Sequence, residues 1–520
     1  MTAAVVAAVL AVGPPMQLPG DAAAAGVRAD ARTWIVGARP GERSARIAAR
    51  YGARHAGPAG TGGWLVERRR ARALARALRA RRLLVYAEPN ALRRTQQATL
   101  AHDPLTGSWH DAVVRPGTTP PAAGPDSPLI ALIDTPTDPP AHPEFAGGRT
   151  TTLRSRALRD LHGTATAAVA AAPLNGVGME GVWPGARALN VPLGAAITCG
   201  ESADRIADAI TAGAAVINMS YGSDQACFLE YVAIQFAVAH EIVPVAAAGN
   251  EFEDGNPLEF PASLPHVLTV ASVAEDGSSS LFSNANEAVD LSAPGENVVS
   301  AVPPQYDEDG TPDGWMPLSG TSFSAPMVAA AVAWVRQARP ELTYDQAAQV
   351  VRLAARDVGD PGWDEDTGYG VLDVAAALGK EPPPHDALEP NDDIEWVDGR
   401  AFGKPDRPVF RGRRKVKLQA LVDRLEDPVD VYRVKVRAGR RARVKADPAF
   451  GNVELAVFNA RADTVGRRRG RLTRRDRAGE RTERYTIRNR SGRKRAYFVA
   501  VGVSPDARGL DAGYKLRIAR

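Results

Sequence analysis

Three residues of this chain could together activate a hydroxyl for attack on a carbonyl: Asp134, His162 and Ser322. A serine hydroxyl is a poor nucleophile until a base takes its proton and a third group orients that base. Asp134 closes the apolar run 129-LIALID-134, which sets its carboxylate at the carboxyl end of a buried strand, where open α/β sheets build their sites. His162 opens 162-HGTATAAVAAAP-173, a turn running into a small-residue helix. Ser322 sits in 317-PLSGTSFSAPMVAAAVAWVRQ-337, where an Ala-rich buried helix begins. Taken singly, the Asp reads as a turn cap, the His as structural and the Ser as a helix N-cap. Taken together, in the order Asp, His, Ser, they read as acyl-transfer machinery.

Such groups need a rigid frame, and the pattern supplies one. The runs 128-PLIALID-134, 187-RALNVPL-193, 215-AVINMS-220, 242-IVPVAAAGN-250 and 266-HVLTVASV-273 are continuously apolar rather than alternating, as strands covered on both faces are. They alternate with helical segments, so a parallel-sheet α/β domain is expected. Before it, 33-TWIVGA-38, 62-GGWLVE-67 and 83-LLVYAE-88 read as strands separated by the helical stretches 42–53 and 69–80, giving a small β-α-β-α-β unit. The segment 91-ALRRTQQATLAHDP-104 reads as a polar linker, and 381-EPPPHDALEP-390 as a Pro-rich one. Beyond it, alternating runs such as 430-DVYRVKV-436 and 496-AYFVAVG-502 predict an antiparallel β-sandwich.

At 520 residues the chain exceeds one core. The expected division is residues 1–25 as a signal peptide, 28–95, 100–380, the linker 381–390, and 391–520. The signal rests on the short run 3-AAVVAAVLAV-12 and the small-residue site 22-AAAAG-26, although no Lys or Arg precedes the run. It implies a secreted, extracellular protein, and no later segment is long and apolar enough to span a bilayer. The net charge of +4 conceals a polarity: 17 basic against 5 acidic residues in 1–100, 12 against 35 in 101–380, and 35 against 20 in 381–520. Basic flanks docking on an acidic middle would use it; so would Arg-rich solvated faces with no partner. Nucleic acid is not expected, because no aromatic residues interleave with Arg467–Arg469. Cys199 and Cys227 are the only cysteines, either a bridge or two buried thiols.

The triad order and its flanks resemble the subtilisin-like serine peptidases, the subtilases, over roughly residues 127–378. The segments 217-INMSYG-222, 245-VAAAGN-250, 260-FPASLPHVLTVASV-273, 291-LSAPGENVVSA-301 and 367-TGYGVLDVAAAL-378 carry the same likeness. The resemblance implies an endopeptidase in which Ser322 attacks, His162 is base then acid and Asp134 orients it. Asn250 and the Ser322 N–H would form the oxyanion hole. Ser220, Tyr221 and Gly222 would form the edge along which a polypeptide substrate lies. It also implies a pocket for the residue before the scissile bond, with Glu259 at its base and Glu251 at its rim, hence a preference for Arg or Lys. Arg93 and Arg94 fall about where such propeptides are cut. The chain departs from the family at Thr135-Pro136, where a Gly is usual, and at Met327.

By the same resemblance, the first unit is an inhibitory propeptide of a zymogen, and 391–520 is similar to bacterial pre-peptidase C-terminal domains. No cofactor is required and no metal site is assigned; calcium is open, because Asp392, Asp393, Asp427 and Asp430 offer oxygens without matching a dedicated loop. The expected partners are a polypeptide substrate and the chain's own propeptide, with no membrane, and the molecule is expected to be a monomer. The rival reading is a catalytically inactive, subtilase-like surface-binding protein.

Overall fold

The computed structural model describes residues 29–95 and 109–520, apart from 387, 413, 425, 478, 480, 506 and 508–510. The expected signal segment lies outside them. The N-terminal unit comprises β1 (Ala29–Ala38), α1 (Glu42–Arg50), β2 (Gly63–Glu67), α2 (Arg68–Arg79) and β3 (Leu84–Thr95). Apolar residues at helical spacing in α1 and α2, Ile47, Ala71, Leu74 and Leu78 among them, pack with Trp34, Val36 and Val66 of the strands.

The central domain is built on seven strands: β4 (Ile130–Asp134), β5 (Arg149–Thr152), β6 (Arg187–Pro192), β8 (Val216–Met219), β10 (Val243–Ala247), β11 (Leu268–Val273) and β12 (Leu291–Pro294). Their spatial order is β12-β11-β10-β8-β4-β6-β5, and every pairing is parallel. Successive residues of β4 enter opposite cores. Ile130 and Leu132 join the layer of α3 (His162–Ala171) and α6 (Thr321–Ala338). Ala131 and Ile133 join that of α4 (Cys199–Thr211) and α5 (Phe228–Val238). This two-sided burial is why the strands read as unbroken apolar runs. Helices α3 and α6 run through the core, every residue of α3 being buried, and their alanines let the backbones approach. Among the described residues no helix is long and apolar enough to cross a membrane.

Two short strands, β7 (Ile197–Thr198) and β9 (Tyr221–Gly222), stand outside the main sheet. Between them lies β3 of the N-terminal unit, antiparallel to both: Leu92 pairs with Thr198, Arg93 with Ile197, Arg94 with Gly222 and Thr95 with Tyr221. This corrects the expectation of a linker from residue 91. The sequence 91-ALRRT-95 is strand because two strands of another domain supply the backbone partners that its composition cannot advertise.

Among the described residues beyond 390, eight strands form two antiparallel four-stranded sheets. One is β13-β20-β15-β18, with β13 (Val416–Asp423), β15 (Arg441–Phe450), β18 (Glu483–Arg488) and β20 (Asp511–Ala519). The other is β14-β19-β16-β17, with β14 (Val429–Val436), β16 (Val453–Asn459), β17 (Arg471–Arg475) and β19 (Arg495–Val503). Their inner faces share one buried cluster, with Val444, Leu516 and Ile518 from the first sheet and Val434, Leu455 and Val499 from the second.

Candidate active site

Asp134 lies at the carboxyl end of β4 and His162 begins α3, and the two meet: His162 Nδ1 is 2.6 Å from Asp134 Oδ1, with both side chains 1% exposed. The carboxylate is held from all sides. Its Oδ1 also accepts from the Thr135 N–H, and its Oδ2 accepts from the Thr166 hydroxyl at 2.9 Å. Burial pushes His162 toward the neutral form, but the charge and hydrogen bond of Asp134, with Asp160 behind, outweigh it and raise its pKa above the ordinary value.

The imidazole is aimed by Asp160 and Thr135. Asp160 Oδ1 accepts from the His162 N–H and from the Thr135 hydroxyl, and the Thr135 hydroxyl accepts from the Gly163 N–H at 2.9 Å. Thr135 thus turns its departure from the family pattern into a clamp on the first turn of α3. A Cβ on Gly163 would lie 2.0 Å from the Thr135 carbonyl oxygen, so only glycine fits there.

Ser322 is the second residue of α6. Gly320 caps that helix at φ +145°, a left-handed conformation that favours glycine. Pro326, inside the helix, has no N–H to donate to the Ser322 carbonyl four residues back, and that oxygen accepts instead from the Ser220 hydroxyl at 3.0 Å. Ser322 Oγ in turn donates to the Ser220 carbonyl at 3.3 Å. The residues on either side of Ser322 hold the other groups. Phe323 lies against the His162 ring, their centroids 5.9 Å apart. Thr321 donates its N–H and hydroxyl to Asn250 Oδ1, at 2.9 and 3.0 Å.

That second contact fixes the Asn250 amide so that Nδ2 points away from Thr321. Asn250 Nδ2 and His162 Nε2 are both sealed from solvent and, among the described residues, take no hydrogen bond. Buried polar nitrogens without partners are rare, and a free ring nitrogen and a free amide held by the two neighbours of Ser322 are what a site awaiting a reacting carbonyl would show.

Glu259 is 1% exposed, and its Cγ lies 2.7 Å from where a Cβ on Gly249 would stand, next to Asn250. Glu251 accepts from the Asn250 N–H at 2.9 Å, so this rim carboxylate is partly committed to the backbone. The strand stub continues from β9 through Ser223, which exchanges backbone hydrogen bonds with Phe260. Tyr221 is buried, its hydroxyl 2.8 Å from that of Ser202. Cys199 and Cys227, at the starts of α4 and α5, are joined as a disulfide with a Cα–Cα distance of 6.4 Å. Two groups of acidic side chains have a metal-like spacing, His266 with Glu389 and Asp392, and Asp386 with Glu389, Asp427 and Asp430. They lie where the central domain meets the C-terminal sheets, away from Ser322.

The N-terminal unit clasps the ends of the two helices beside β7 and β9. Glu88 accepts from the Phe228 and Leu229 N–H groups at the start of α5, at 2.9 and 3.0 Å. Asn90 accepts from the Gly200 N–H of α4 at 2.7 Å. Both satisfy helix-end donors that would otherwise need water.

Comparison with known proteins agrees with this frame. The description of the subtilase family (peptidase S8) matches residues 126–370. Fervidolysin of Fervidobacterium pennivorans is 30% identical over 297 residues, covering 50% of this chain and 42% of that protein. The minor extracellular protease Epr of Bacillus subtilis (strain 168) is 30% identical over 255 residues, 48% of this chain and 38% of Epr. Mycosin-1 of Mycobacterium tuberculosis is 31% identical over 323 residues, 50% of this chain and 70% of mycosin-1. The chain thus spans less than half the length of the first two. The crystal structure of fervidolysin, described as a keratinolytic enzyme related to subtilisin, aligns with a TM-score of 0.58 at 18% identity, over 91% of this chain and 88% of that one. At that identity the alignment speaks for the fold.

Proposed function

The chain belongs to the subtilase family, and on that premise we propose that it is a serine endopeptidase, exported as a zymogen, that cleaves polypeptides through an acyl-enzyme. The observation that carries this reading is the pair of buried nitrogens, His162 Nε2 and Asn250 Nδ2, that lack a hydrogen-bond partner among the described residues while their side chains contact Phe323 and Thr321, the two neighbours of Ser322. His162 Nε2 takes the Ser322 proton as Oγ bonds to the substrate carbonyl carbon, and Asp134 stabilises the imidazolium. Asn250 Nδ2 and the Ser322 N–H receive the oxyanion, which costs no reorganisation because both donors are already fixed. His162 then returns the proton to the leaving amine, and water repeats the cycle on the acyl-enzyme.

The zymogen reading is supported by β3, which fills the channel between β7 and β9 as an added strand. Export is supported by the N-terminal apolar run and by the disulfide. The C-terminal sheets fit a pre-peptidase C-terminal domain. A basic preference before the scissile bond rests on Glu259 alone: Arg93 lends it nothing, because its side chain pairs with Glu230 of α5. Glu259→Gln should lower cleavage after Arg and Lys relative to Leu, and an unchanged profile would remove the assignment.

Labelling of the processed protein with a peptidyl phosphonate tests the main reading. Covalent modification at Ser322, absent in Ser322→Ala, is the expected result. A processed, folded protein that takes no label would favour the inactive binding protein instead.

A further inference from the structure

The side chain of Arg93, from the N-terminal unit, is 0% exposed and pairs with Glu230 of α5, also 0% exposed. Its Nε donates to Glu230 Oε1 at 3.2 Å and its Nη2 to Oε2 at 2.6 Å, a two-pronged match of planar groups. Its Nη1 donates to the Ser223 hydroxyl at 2.8 Å. Among the described residues no other group is recorded bonding the Glu230 carboxylate. A buried carboxylate whose cation arrives from a separate unit is left unpaired when that unit departs, and an unpaired buried charge is costly.

The strand register says which substrate residue would replace Arg93. Thr95 pairs with Tyr221, and Ser220, the residue before Tyr221, touches Ser322 Oγ through its carbonyl. A substrate strand taking this antiparallel register would set its residue opposite Ser220 next to Ser322, the two before it opposite Tyr221 and Gly222, and the fourth residue before the cleaved bond where Arg93 lies. Resting on the peptidase reading above, we infer that Glu230, with Ser223, forms a pocket selecting Arg four residues before the scissile bond, and that the N-terminal unit holds this pocket closed with its own arginine. Lys lacks the planar fork that meets both carboxylate oxygens, so it should be second best.

The test uses the processed enzyme and paired fluorogenic peptides that differ only at that fourth position. Arg should exceed Ala by at least about tenfold in kcat/KM, with Lys between. Because Glu230→Gln would strand Arg93 in the uncut chain, it is made together with Arg93→Gln. In that double variant the Arg-to-Ala ratio should fall to about one. An enzyme that takes the phosphonate label and cleaves both peptides equally overturns the pocket but leaves the peptidase reading standing; an enzyme that takes no label and cleaves neither overturns both. Retention of the Arg preference in the double variant would acquit Glu230 and likewise overturn the assignment.

A second inference stands on a different part of the molecule. Asp386, Glu389, Asp427 and Asp430 bring carboxylate oxygens within 4.8 Å of one another, beside a cavity of about 70 Å³ that is also lined by His266. Asp430 is satisfied by Asn391 and Tyr514. Asp386 Oδ2 and Asp427 Oδ1 are sealed from solvent with no hydrogen-bond partner among the described residues, as is Asp392 Oδ2 next to His266. Among the described residues no Lys or Arg pairs with any of the four, and His266 is their one recorded ion-pair partner.

The geometry points to a divalent cation of calcium's size, bound where the linker and the β13–β14 connection meet the central domain, since calcium accepts several carboxylates in irregular arrangements. Thermal unfolding of the full chain as Ser322→Ala, which cannot digest itself, decides it. Calcium should raise Tm saturably over a chelated sample, and magnesium less. Asp386→Asn with Asp427→Asn should abolish that response while raising the chelated Tm. A calcium response that survives the double variant, or its absence in the parent, overturns the site.

Discussion

Two buried pairs of carboxylate and cationic group can be set side by side. Asp134 meets His162 at 2.6 Å and Glu230 meets Arg93 at 2.6 Å, and all four side chains are essentially without solvent. Their support differs. Asp134 also accepts from Thr135 and Thr166 of its own domain, so it is satisfied whatever else the molecule does. Glu230 depends on a residue of the N-terminal unit. The first pair is therefore a fixture and the second a socket. Desolvation makes both arrangements effective: it strengthens the hydrogen bond that aims His162, and it makes an empty Glu230 pocket unfavourable until another cation fills it.

The largest effect should come from breaking the fixture. Asp134→Asn should lower kcat by about 10⁴-fold through the wrong imidazole tautomer, while any Arg-to-Ala preference at the fourth position persists. Loss of that preference along with the rate would show that the two pairs are not independent.

Next is the socket in the uncut Ser322→Ala chain. Arg93→Ala should destabilise it by about 3 to 5 kcal/mol, the cost of an abandoned buried charge, read by denaturant unfolding. Adding Glu230→Gln should recover most of the loss. If the double variant is no more stable than the single, Arg93 contributes packing rather than charge.

A loss of about 100- to 1000-fold in kcat with little change in KM is expected for Asn250→Ala, a magnitude carried over from subtilisin. A KM effect of the same size would assign Asn250 to ground-state binding instead. The smallest effect is on pH. Only neutral imidazole can take the Ser322 proton, and Asp134 raises the His162 pKa, so activity is lost as pH falls through that raised value. The acid limb of kcat/KM should lie above 6.5, the ordinary value, because opening the cleft relieves desolvation, the one contribution that lowers it. An acid limb below 6.5 would mean that Asp134 does not act on His162 in the open enzyme.

Some of this was legible from composition and spacing. The doubly covered strands announced a parallel sheet through unbroken runs such as 129-LIALI-133. Asp134, His162 and Ser322 stood out because each sits at the end of a recognisable element, where a polar residue interrupts an apolar pattern. The helical spacing of α1 and α2 was equally plain. Roles that come from position alone were not visible: Asp160 carries no pattern and Thr135 showed only as a departure from the usual Gly, yet they aim His162 through three hydrogen bonds.

By itself, then, the sequence determined which segments are buried on both faces, where the elements end and which reactive side chains stand at those ends, since these follow from local periodicity and the chemistry of single residues. Tertiary structure alone decided what lies in the channel between β7 and β9 and which carboxylates lack a cation. Arg93 and Glu230 are 137 positions apart, and each reads as an ordinary surface charge in its own segment. Only the folded chain takes both out of water, where a charge must find its opposite.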